Sequence, residues 1–154
     1  GYDATTQHGL IAATSDQGRS ITWDRLTGSF LLYQGTNRGA IGTTIGTGLS
    51  NTDAIIASQG GTATSYAAGV ARAYTGGGYT DWYLPSKDEL NKLYLNRVAI
   101  GGFISYSNGL YWSSSEIQSY PYHSAWLQDF SNGGPLSIFK SFDFDVNVRA
   151  IRSF

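Results

Sequence analysis

A chain of 154 residues with 20 glycines, 14% aromatics and only 14% charged side chains fits one loop-rich β or α+β domain, neither a helical bundle nor a disordered tail. It has no cysteine, which excludes disulfides, zinc–thiolate sites and thiol catalysis. A formal charge of −1 gives no long-range pull on nucleic acid, and no apolar run approaches the ~18 residues of a membrane span, so neither partner is expected. Methionine is absent even at position 1, which points to a processed or excised domain.

In chain order, Gly9 to Thr14 is a short apolar run that predicts a buried strand, and Ser20 to Trp23 predicts a second. A Gly/Thr-rich loop follows from Gly35 to Gly48. Ser50 or Asn51 can cap a short helix over Thr52–Ser58, closed by Gly60 and Gly61. Another helix opens at Thr64 or Ser65 and runs through Tyr74, with small residues on one face, before three glycines stop it.

Ser86 and Glu89 then stand at capping-box spacing. Leu90, Leu93, Tyr94 and Val98 follow at helical spacing, and the helix is expected to end before Gly101. Asp88 and Lys92 are four apart with the acid first, the favourable order. After Gly102 every signal is β. Ser124 to Phe130 alternates, with Trp126, Gln128 and Phe130 on one side and Ala125, Leu127 and Asp129 on the other. Asn132-Gly133 predicts a turn, Ile138–Phe144 a further strand, and Asn147–Ser153 the last. Helices first and a β meander last make an α+β domain occupying residues 1–154.

Catalysis finds little support. His8 and His123 lack partners at metal-ligand spacing, and Ser113, Ser114 and Ser115 sit in no Gly-x-Ser-x-Gly elbow, so their hydroxyls are expected to satisfy local backbone. The chain is read as non-enzymatic and as requiring no cofactor. The Glu-Pro-Asn, Gln-Pro-Asp and Trp-Asn-Asp tripeptides of calcium-dependent lectins are absent. Asp143 and Asp145 are expected on one strand face with Asp129 near them. One chain would hold a divalent cation weakly there, whereas three copies around an axis offer enough oxygens. The basic residues are scattered. Lys87, Lys92 and Arg97 lie on or beside one helix, and Arg38 and Lys140 could be folded into line with them. Trp82, Trp112, Trp126 and Phe154 are expected in the core, while Tyr106, Tyr120 and Tyr122 lie in polar loops suited to stacking on a partner.

Three segments, taken together, resemble one family. They are Gly78 to Lys92, with its Asp81-Trp82-Tyr83-Leu84-Pro85-Ser86 run; Tyr111-Trp112-Ser113-Ser114-Ser115-Glu116; and Val148-Arg149-Ala150-Ile151-Arg152-Ser153-Phe154. The family is the C-terminal domain of the Legionella collagen-like adhesin, and the likeness runs from about Gln7 to Phe154. It implies a C-type-lectin-like fold with two to three helices on a twisted, mostly antiparallel sheet, and a first strand paired with the last. It also implies an extracellular or bacterial-surface adhesin head, a homotrimer, and sulfated glycosaminoglycan as ligand. The glycan-binding residues would then be Lys87, Lys92, Arg97, Arg38, Lys140, Tyr120 and Tyr122. Arg149 and Arg152, in the terminal motif, look structural. The variable proteins of diversity-generating retroelements carry a similar ending, which leaves a protein-binding recognition domain as the alternative.

Overall fold

The computed structural model describes residues 8–25, 36–60, 63–107, 109–142 and 144–154. Within them the α+β expectation holds. A five-stranded mixed sheet runs in the order β2 (Gly18–Arg19), β6 (Val146–Val148), β3 (Leu110–Glu116), β4 (Ser124–Asp129), β5 (Pro135–Phe139). Only β3 and β6 are parallel. A separate ribbon pairs β1 (Leu10–Ala12) with β7 (Ile151–Ser153), so the first and last strands do meet. Four α-helices accompany the strands: α1 (Gly48–Gln59), α2 (Ala67–Ala73), α3 (Lys87–Leu95) and α4 (Arg97–Ile100).

β3 is the hub. Successive side chains of a strand point to opposite faces, and Tyr111 and Trp112, both wholly buried, enter different cores. On the Trp112 side lie Trp23, Ile55, Ala67, Ala71, Trp82, Leu84 and Leu127. On the Tyr111 side lie Tyr83, Leu90, Leu93, Phe130 and Ile151. Helices α1 and α2 thus seal one core and α3 the other. Leu90 and Leu93 therefore pack in the core of Tyr111 and not in that of Trp112. Burial pushes the Tyr83 and Tyr111 hydroxyls up to about 12.

Local chemistry explains α3. Ser86 Oγ accepts from the Glu89 amide at 3.3 Å, and the Ser86 amide donates to Glu89 Oε2 at 2.8 Å, which completes the capping box. The Gly46 amide donates to the other oxygen, Oε1, at 2.9 Å, and the Tyr83 hydroxyl also bonds this carboxylate, so a wholly buried acid is satisfied by two backbone amides and a phenol. The helix is shorter than its periodicity suggests. It stops at Leu95, and Val98 in α4 is 89% exposed. α1 begins earlier than expected, at Gly48, and places Asn51 inside the helix, where its amide donates to Gly42 O at 2.6 Å. The last expected strand is two, β6 and β7, separated by Arg149 and Ala150.

Arg149 is fully buried. It donates to Asp16 at 2.7 Å and to the carbonyls of Ala13, Gly101 and Gly102, so one guanidinium ties three loops together. Arg152 makes two hydrogen bonds to Asp81 at 2.7 and 2.8 Å and lies over the Tyr79 ring. Both arginines are structural, as their motif implied. Along the entry of the chain, paired backbone bonds continue past the ribbon: Gly9 with Phe154, Ala13 with Ala150, Gln17 with Val148 and Ile21 with Val146. Residues 9–21 therefore run as one antiparallel seam along 146–154.

Candidate functional site

Of the ten lysines and arginines, Arg19, Arg38, Arg72, Lys140, Arg149 and Arg152 form ion pairs. Among the described residues this leaves Arg25, Lys87, Lys92 and Arg97 outside such pairs, three of them on α3 and α4 within the eleven residues from Lys87 to Arg97. Lys92 is exposed; Lys87 and Arg97 are half-buried. Lys87 Nζ sits 4.6 Å from the centre of the Trp126 ring, and the Arg97 guanidinium lies 4.1 Å from that of Tyr94 while donating to the Tyr94 carbonyl. No Asp88–Lys92 ion pair forms among the described residues.

Two expected glycan contacts are corrected. Lys140 is 1% exposed, and its ammonium donates to Glu116, Thr36 O and Pro121 O beneath the Trp23 ring. Burial drives its pKa down, and the Glu116 carboxylate opposes that shift. Glu116 in turn accepts from the Arg38 and Ala40 amides at 2.7 and 2.9 Å. The Arg38 guanidinium is committed to Asp24 at 2.6 Å and the Ser58 carbonyl at 3.1 Å. Both cations hold the loop around residues 36–40 against the sheet and face inward.

The acidic residues are also engaged. Both Asp129 oxygens accept from its own turn, from the Ser131 amide at 2.8 Å and Asn132 Nδ2 at 3.2 Å. Asp145 pairs with Arg19 at 2.9 Å. Asp143 lies outside the described residues. No group of three acids or histidines positioned for a metal occurs among the described residues. Among the described residues the serines of β3 meet local backbone only once, where Ser113 Oγ accepts from the Ser115 amide; otherwise they tie distant segments, Ser113 donating to Trp126 O, Ser115 to Gly42 O, and Ser114 accepting from Asn51. Tyr106, Tyr120 and Tyr122 are exposed in loops, at 72, 65 and 56%. Phe154, expected in the core, is 55% exposed.

Beside Lys87 the surface opens into a cleft of about 190 Å³ between the start of α3 and strands β3, β4 and β5. Lys87, Asp88, Asn91, Trp126, Gln128 and Pro135 line it. β4 keeps its expected alternation: Ala125 and Leu127 enter the first core, whereas Trp126 and Gln128 face the cleft. Gln128 Nε2 donates to Asn91 Oδ1 at 2.8 Å and to Gly133 O at 2.9 Å, which bolts strand to helix. Sequence reading assigned Trp126 to the core and missed this cleft. The available signal was the polar partner two residues on, Gln128, on the same strand face.

The Lcl C-terminal domain family model matches residues 12–152. No curated protein matches significantly. With the capping-box helix, the serine-rich central strand and the terminal arginines all in place, the chain belongs to the Lcl C-terminal domain family, a family of adhesin-type domains.

Proposed function

We propose that this domain is the non-catalytic, ligand-binding head of a surface or extracellular adhesin, and that its ligand is a sulfated glycosaminoglycan. One observation carries the reading. The cations left outside ion pairs among the described residues concentrate on α3 and α4, while most of the others are spent inside the fold. A net charge of −1 is then no obstacle, because attraction to sulfates is local at a Debye length of about 8 Å in physiological salt. Membership of an adhesin family supports the reading further. The domain works as a homotrimer, which repeats the basic helix three times along one polymer and raises avidity without new contacts. It needs no cofactor.

Heparin-affinity elution with a salt gradient tests this. Binding should weaken steeply with salt, and reversing Lys87 and Lys92 to Glu should bring elution forward while the fold survives, since neither forms an ion pair among the described residues. No retention at low salt, or retention indifferent to both changes, would remove the assignment.

A further inference from the structure

We propose that the cleft at the start of α3 is a separate pocket for one acidic sugar residue, with an anionic group held by Lys87 and Trp126 and hydroxyls read by Asp88, Asn91 and Gln128. This rests on the glycan reading and deepens it, from a charged surface that tracks a polymer to a pocket that recognises one ring.

The fourth tryptophan carries the argument. The indole N–H groups of Trp23, Trp82 and Trp112 donate to Ser113 O, Gly76 O and Ile21 O at 2.7, 3.1 and 2.7 Å. Trp126 has no such protein acceptor among the described residues, and it lines the cleft. Buried indoles ordinarily find an acceptor, and those at binding surfaces keep the donor for a partner. Lys87 stands over the same ring with no carboxylate paired to it among the described residues. The Lys87 ammonium and the Trp126 indole N–H thus border one cleft, and neither has a protein acceptor among the described residues. A ligand bearing a carboxylate or sulfate supplies the missing acceptors.

The rest of the lining selects hydroxyls. Both Nε2 hydrogens of Gln128 are used, toward Asn91 and Gly133, so its remaining capacity is an acceptor and that of Asn91 is its amide donors. Asp88 adds a carboxylate acceptor. Donors and acceptors side by side around an aromatic face suit the hydroxyls and C–H face of a pyranose. The size fits: an enclosed apolar cavity of roughly 150 Å³ takes up benzene, and a cleft of about 190 Å³ that opens to solvent has room to seat one six-membered ring. The hydrogen bonds that bolt Gln128 to α3, and the bond from Ser113 Oγ to Trp126 O at 2.8 Å, hold the walls in place before a ligand arrives.

The test follows the indole N–H resonances of ¹⁵N-labelled protein, with Trp126→Phe identifying the fourth. Sodium glucuronate is titrated in, beside glucose (same ring, no charge) and benzoate (charged ring, no hydroxyls). The Trp126 signal should shift and saturate with glucuronate, and shift less with either control, while the other three indoles stay put. Asn91→Ala and Trp126→Phe should each weaken glucuronate about tenfold, the usual worth of one or two lost hydrogen bonds, read from backbone amides of 87–91. No shift at Trp126, an equal shift with benzoate, or movement of all four indoles together would overturn the pocket. A Lys92→Glu, Arg97→Glu variant separates the two readings: it should lose heparin and keep glucuronate. If unmodified protein ignores heparin yet glucuronate still moves Trp126, the polymer reading fails alone; heparin binding without a Trp126 response sinks only the pocket.

Discussion

Lys140 carries its ammonium out of water on folding, and its one carboxylate partner among the described residues is the equally buried Glu116. Breaking a buried pair by removing one partner strands the other charge. Lys140→Ala should therefore cost about 3–5 kcal/mol in urea unfolding, and Lys140→Met combined with Glu116→Gln distinctly less. Nothing next to Lys140 in the chain announces this. Its partner lies 24 residues earlier, and the carbonyls it reaches belong to Thr36 and Pro121. A lone lysine between Phe139 and Ser141 reads as solvated because only tertiary structure brings those oxygens in. Asp81 behaves oppositely, at the surface. The Arg152 hydrogen bonds hold its carboxyl below the ordinary aspartate range. A carboxyl depressed on folding stabilises fully above its unfolded value, and that stability is lost as pH falls through the lower folded one. Asp81→Asn should thus be less stable than the parent at neutral pH, and the gap should close in strong acid; a gap independent of pH would show that the pair contributes nothing through ionisation.

Among the elements, α3 was the most legible and also the most misleading about its neighbours. Ser86, Glu89, Leu90 and Leu93 announce the cap and the buried stripe from spacing alone; the cap forms and both leucines are buried as expected, while the burial of Ser86 and Glu89 had no such signal. Spacing could not say which core the stripe joins, since that depends on which face of β3 the helix meets. It also carried the pattern through to Val98, past the break at Asn96. Leu93→Ala should cost roughly 2–5 kcal/mol, whereas Val98→Ala should barely move the unfolding midpoint. Gly48, at the start of α1, is a subtler test. A Cβ there would collide with Glu89 Oε2 and come within 2.8 Å of the Ser86 amide and 3.0 Å of Leu84 O. Gly48→Ala should therefore destabilise the domain through the cap of another helix, 38 residues away from Ser86 in the chain. If Gly48→Ala leaves stability unchanged, the contact between the two helix starts is looser than described.

At the scale of the whole molecule, the fold class and the pairing of the ends were readable, the first from the order of helical and β signals and the second from the terminal motif. The cleft was not, because it needs α3 and β4 side by side, and a tryptophan at the wall of a cleft has the same sequence signature as one in a core. Assembly is the next level. Light scattering at micromolar concentration should give three times the chain mass, and a monomer mass there would leave the basic helix to act singly. In that case heparin retention should fall, while glucuronate binding in the cleft, which is complete within one chain, should be untouched.

The antiparallel seam between residues 9–21 and 146–154 has a mechanical consequence. Gly9 and Phe154 exchange backbone hydrogen bonds at 3.1 Å in both directions, so the two ends leave the domain at the same point. Tension applied between those ends opens the seam like a zip, one rung at a time, and meets little resistance. Tension between the first strand and a ligand gripped at α3 instead passes through the sheet and the guanidinium of Arg149. In single-molecule pulling the domain should yield at much lower force when held by its two ends than when held by one end and its ligand.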